Sequence, residues 1–139
     1  MKLALRRGAA EDATLLQRIF AWVVRYRLCS VFCHSGIVIG NTLYHANTIK
    51  GLHSSRYTPE RWDLIDLGDS REQATLELFK LMKGSKYDYL GVLGFAIPFL
   101  RGAPMKLYCF EWSAMAMGLE NARWMTPEKL LLHALNEGS

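Results

Sequence analysis

The sequence predicts a single α+β domain, residues 1–139, in which helices stand before and after a small antiparallel sheet. Three observations predict it. Apolar residues recur at helical spacing over 11–27. A Gly–Asn pair separates two apolar runs between His34 and Asn47, a two-residue hairpin signal. Helix start and stop residues then recur between 70 and 135.

In chain order, residues 11–27 place Leu15, Leu16, Ile19, Phe20, Val23 and Val24 on one helical face, with Glu11, Asp12, Gln17 and Arg18 on the other. Strands are predicted at 31–39 and over "TLYHA", with Gly40 and Asn41 as the turn. "NTIKGLHSSRYTPE" reads as a partly irregular connection, and "RWDLIDL" alternates as a strand does. Ser70 and Gln73 match a capping box, opening a helix through Met82 that stops at Gly84. "KYDYLGVLGFAIPFLRGAP" reads as a short buried helix and a loop, broken by Gly and Pro. "LYCFEWSAMAM" is helical and ends at Gly118. Thr126 and Pro127 suit the N-cap and first turn of a last helix, through about Leu135.

Half of the residues are hydrophobic, and a chain of 139 residues buries roughly two thirds of its unfolded surface. The core therefore needs no metal or disulfide staple. Net charge is +4, with the basic residues scattered, so no nucleic-acid partner is expected; an anionic partner or a solubility role fits. Three cysteines, Cys29, Cys33 and Cys109, leave at least one thiol unpaired and point to a reducing compartment. Glu11 and Asp12 follow the basic N-terminus before any apolar run, so no signal peptide is expected. "IFAWVV" and "YLGVLGFAIPFL" fall short of the roughly 20 residues of a spanning helix. The chain reads as soluble, with contact between the second segment and a membrane surface left open.

The histidines of the hairpin suggest chemistry. With a two-residue turn, Ile39 faces Thr42, Gly36 faces His45 and His34 faces Asn47. Period two then puts His34, His45 and Asn47 on one face, with His45 diagonal to His34. A general base needs one free ring nitrogen and an acceptor for the proton on the other. His45 and Asn47 are both candidates for that acceptor. Cys109 is the candidate nucleophile, at the start of a predicted helix whose free N–H groups favour a thiolate and suit an oxyanion.

These residues resemble a known pattern. "HSGIVIGNTLYHAN" resembles the His hairpin of NlpC-type papain-like cysteine peptidases, where His opens an H-x-G-I-x-x-G strand and a polar residue follows on the next. "YCFEWSAMAMGL" resembles the nucleophile helix of the circularly permuted members, in which Cys follows His; "KYDYLGVLGF" and "MTPEKLL" also look like that group. The resemblance spans most of 31–132. It implies a permuted papain-like fold with Cys109 as nucleophile, His34 as base and His45 as third polar residue. Phe110 replaces a common Ser and bears on the substrate pocket, as does Tyr87. The expected activity is a cysteine peptidase or amidase acting through an acyl-enzyme, without a cofactor. A peptide or peptidoglycan-like substrate, and a cytoplasmic or phage-associated setting, are expected. Lipid or thioester acyl transfer within the same clan, and a non-catalytic assembly module keeping the fold, are the alternatives.

Other residues have plainer readings. Cys29, Cys33 and His34 lack a second ligand cluster, so no metal site is expected, and the thiols read as buried. His53 and His133 read as surface residues, Trp112, Met115 and Met117 as core, and Asp88 as a helix cap. Glu111 either pairs with an arginine or supports the nucleophile from behind.

Overall fold

The computed structural model describes residues 1–9, 13–27, 29–60, 62–88 and 106–137. The elements run β1 (Lys2–Arg6), α1 (Leu15–Arg27), β2 (His34–Ile39), β3 (Thr42–Asn47), β4 (Gly51–Arg56), β5 (Trp62–Asp66), α2 (Glu72–Met82), α3 (Cys109–Ala116), a 3-10 turn (Ala122–Trp124) and α4 (Pro127–Glu137). Five strands form one antiparallel sheet in the order β4-β3-β2-β1-β5. The protein is therefore α+β.

Two of these strands depart from the sequence reading. "KLALR" alternates too briefly to stand out, yet β1 lies inside the sheet, bonded to β2 and β5. β4 lies in the stretch expected to be partly irregular. Its polar residues hide the alternation, and only Leu52 reaches the main core.

Alternation gives the sheet two unlike faces. Leu3, Leu5, Ile37, Ala46 and Leu52 join the main core with Phe79, Trp112 and Leu130. Helix α3 packs on this face: Ser113 and Ser35 share a hydroxyl bond of 2.8 Å, and Trp112 Nε1 donates to the Tyr44 carbonyl at 2.9 Å. The opposite face carries a smaller cluster of Ala4, Val38 and Leu43, with Tyr57 and Trp62 against it.

The helix signals were partly met. Cys109 opens α3 as expected; past its end, Gly118 takes φ 74° and the Leu119 N–H closes on the Ala114 carbonyl. Thr126 Oγ1 accepts the Lys129 N–H at 3.4 Å, capping α4. The Ser70–Gln73 capping box does not form. Helix α2 begins at Glu72 after Arg71 with no side-chain cap bond, and the Gln73 amide donates to Glu77 instead. The apolar segment 89–105 lies outside the described residues. Among the described residues, no helix is long and apolar enough to cross a membrane.

Candidate functional site

The β2–β3 hairpin has the expected register, with Ile39 opposite Thr42, Val38 opposite Leu43 and Ile37 opposite Tyr44. Gly40 takes φ 57° while Asn41 does not turn positive, as in hairpin turns with glycine first. Gly36 permits a close crossing: a Cβ there would stand 2.8 Å from Leu43 Cδ1 and 3.0 Å from His45 Cβ. The paired ladder ends at Ile37. Parity aims the next N–H on that side, from Ser35, toward β3. That N–H goes to the Cys109 sulfur instead.

His34 and His45 meet edge to face, with Nε2 of His34 2.8 Å from Nδ1 of His45. The chain continues from Nε2 of His45 to Ser55 Oγ at 3.3 Å. His53, opposite His45 in the β3–β4 ladder, sets its ring centre 4.4 Å from that of His45, tilted by 45°. It is half-buried, not the surface residue expected, because β4 carries it onto the histidine face. His53 Nδ1 donates to the Gly51 carbonyl at 3.0 Å, and the Asn47 amide donates to His53 Nε2 at 3.4 Å. Asn47 Oδ1 accepts the N–H groups of Ile49 and Lys50. Asn47 is thus engaged in its own turn, and His45 is the partner of His34.

Burial pulls the His34 imidazole well below its ordinary range, aided by the nearby His45 and Arg6. Burial likewise pulls His45 down to about 3, with His53 and Arg6 adding to it. Both rings are neutral at pH 7. They can accept a proton or pass one along.

Cys109 occupies the first turn of α3 and is only 2% exposed. Its sulfur receives the Ser35 N–H, the Phe110 N–H and the Tyr87 hydroxyl, yet burial outweighs these donors and pushes the thiol up to about 11. The helix start therefore does not produce the resting thiolate that the sequence suggested. Glu111, two residues on, accepts the Tyr108 N–H with its carboxylate, half of a capping box that anchors the helix start. Burial pushes Glu111 up to about 7, while Arg123 pulls it down.

A cavity of about 400 Å³ opens over the histidine face, lined in part by Arg6, Cys33, His34, His45, Lys50 and Tyr87. Helix α1 closes one side, where Gln17 donates to Thr48 Oγ1 at 3.3 Å. Cys109 is not among the described residues that line it. Tyr87 links the two, since it lines the cavity and bonds the sulfur.

No family model matches the chain, and neither a curated protein nor a solved structure matches it. The residue geometry must carry the reading.

Phe110 was expected to shape the pocket wall. Its ring instead lies in the main core, 2% exposed, because the second residue of α3 faces the sheet interior; only its backbone N–H reaches the site. Cys29, expected to be buried, is exposed, whereas Cys33 is buried. His133 is exposed and Trp112 and Met117 are core; Met115 is partly buried against that core. Asp88 is buried, with its N–H on the Leu107 carbonyl. Among the described residues, no group of three potential ligands is placed to hold a metal.

Sequence reasoning missed Arg6, His53 and Ser55. Each lies on a strand that it did not recognise. The signal available for two of them was the period-two placement of His53 and Ser55 after Gly51.

Proposed function

We propose that this protein is a cysteine peptidase or amidase with a permuted papain-like arrangement of the NlpC type. The observation that carries the reading is the His34–His45 contact at 2.8 Å, one residue along the chain from the Ser35 N–H that holds the Cys109 sulfur. In the working tautomer, His34 donates its Nε2 proton to His45 Nδ1, and His45 donates its Nε2 proton to Ser55. His34 Nδ1 then carries the free lone pair of a base.

The Cys109 thiol gives its proton to His34 as sulfur bonds to the substrate carbonyl carbon. Charge collects on the carbonyl oxygen, and the Phe110 and Ser35 N–H groups, freed from the sulfur as it bonds to carbon, are donors available to it. The imidazolium returns its proton to the leaving amine as the C–N bond breaks. Water, deprotonated by the same ring, then releases the acid from sulfur. The high thiol pKa means that proton transfer accompanies attack, with no ion pair formed beforehand. A peptide or peptidoglycan-like amide is the proposed substrate. No cofactor takes part, and a cytoplasmic or phage-associated setting fits the unpaired thiols.

A second reading, acyl transfer or hydrolysis on a lipid or thioester at a membrane surface, draws on a different observation. Leu15, Ile19, Trp22 and Tyr26 form an exposed stripe on α1, with Trp22 and Tyr26 stacked at 5.4 Å. The opposite side of the same helix closes the cavity.

The test is hydrolysis of peptidoglycan-derived peptides and of short acyl esters, together with site-resolved alkylation at Cys109. Peptide cleavage that falls by at least about a thousandfold in C109S and H34Q supports the first reading. Ester cleavage stimulated by vesicles moves the substrate to lipid. A Cys109 that resists alkylation while Cys29 reacts, with neither substrate cleaved, leaves the non-catalytic module.

A further inference from the structure

Among the described residues, the charged groups that line the cavity over the histidines are cations, and they do no work in the mechanism above. Arg6 stands across β1 from two residues at once, opposite His34 on one side and Trp62 on the other. All three side chains share the histidine face, and the guanidinium carbon lies 5.2 Å from the Trp62 ring centre. Arg6 bonds the Cys33 thiol, but its Nε is buried without a hydrogen-bond partner. Among the described residues no carboxylate pairs with Arg6, and none lines the cavity. Lys50, on the turn between β3 and β4, lines the same cavity from an exposed position. A buried Nε–H without a hydrogen-bond partner costs free energy, so it persists where something else favours it. A guanidinium held by an indole on one side presents its remaining donors to a planar or tetrahedral anion.

We propose that Arg6, with Lys50 at the rim, forms an anion subsite in this cavity that takes a carboxylate or phosphate of the bound molecule beside His34. The subsite selects acidic substrates: an acidic peptide if the anion is a carboxylate, a phosphorylated compound if it is a phosphate. It rests on the hydrolase reading only for the identity of the molecule that carries the anion. Binding itself needs no turnover.

Two measurements test it. The first follows the His34 and His45 ring signals by NMR while acetate or inorganic phosphate is added at constant ionic strength, with chloride as the reference salt. Saturable shifts are expected in the native chain. R6Q is expected to weaken them at least about tenfold, R6K to keep most of the effect, and K50Q to weaken them less. The tighter of the two ions identifies the source of the anion. Shifts no larger than those with chloride, or unchanged in R6Q, overturn the subsite.

The second needs no variant, and so survives a failure of R6Q to fold. Iodoacetate and iodoacetamide are compared on the native protein by mass spectrometry, with exposed Cys29 as internal reference. The iodoacetate preference at Cys33, which lines the cavity, relative to Cys29, is expected to be about tenfold higher and to fall when phosphate is added. Equal ratios at Cys33 and Cys29 count against the subsite. If Cys109 alone resists both reagents while the anion shifts persist, the hydrolase reading falls and the anion subsite stands.

Discussion

Nε2 of His34 lies 2.8 Å from Nδ1 of His45, so one proton serves both nitrogens, and its owner sets the tautomer of the base. With Ser55 at 3.3 Å from the far nitrogen of His45, the chain has a hydroxyl at its end that adapts to either direction. Nitrogen-15 NMR is expected to show His34 protonated on Nε2 and still neutral at pH 6.5, where an ordinary histidine is half protonated, since burial holds its pKa well under that value. H45A is expected to scramble that tautomer and to lower peptide hydrolysis about a hundredfold. S55A is expected to act in the same direction, but more weakly. A His34 protonated on Nδ1 in the native chain would remove it as the base.

Gly36 is what lets those two rings approach. A methyl group there meets Leu43 Cδ1 at 2.8 Å, His45 Cβ at 3.0 Å and the Tyr44 carbonyl at 3.0 Å. Leu43 can rotate, but the backbone oxygen and the histidine Cβ cannot move without the strand. G36A is therefore expected to cost about 1–3 kcal/mol in thermal or urea unfolding and to part the histidines. A variant with unchanged stability and an unchanged His34 ring signal would show that the crossing is looser than this.

The hairpin was legible because its signals are local. Gly40 and Asn41 set the turn, the turn sets the register, and the register puts His34 and His45 on one face. The other members of the site were not legible, for two physical reasons. β4 exposes its alternation only through Leu52, since Ser54 and Ser55 are both polar, so its pairing with β3 is tertiary information. The ionisation of Cys109 depends on desolvation by groups remote in sequence; the helix start that suggested a thiolate is present, but it is overridden by a 2% exposed site. Arg6 shows the same limit. Five residues do not reveal that they will become an inner strand.

The high thiol pKa makes a direct kinetic statement. With a pKa of about 11, the thiolate fraction of Cys109 at pH 7.5 is roughly a few parts in ten thousand. Alkylation by a neutral reagent is expected to rise about tenfold per pH unit between 7 and 10, with no plateau near 8.5 as an ordinary cysteine has. Y87F removes a hydroxyl that favours the thiolate, so it is expected to lower the rate at every pH in this range. A plateau below pH 8 would instead indicate a preformed thiolate–imidazolium pair.

Glu111 offers a stability measurement independent of turnover. The folded carboxyl keeps its proton to about 7, held there chiefly by burial, whereas its ordinary value is 4.5. Between those values the folded chain binds a proton that the unfolded chain has released. This group's contribution is therefore intact below 4.5 and is lost as pH rises through 7. E111Q keeps an acceptor for the Tyr108 N–H and removes the charge. The difference in unfolding free energy between E111Q and the native chain is expected to move in favour of the variant by about 1–2 kcal/mol from pH 4.5 to 8, with solvent screening allowed for. Taking the difference cancels the opposing trend of His34 and His45, whose depressed pKa values make the fold lose stability as pH falls below 6.5 in both chains. A difference that does not change with pH would mean that Glu111 is charged throughout, with Arg123 rather than the Tyr108 backbone as its governing partner.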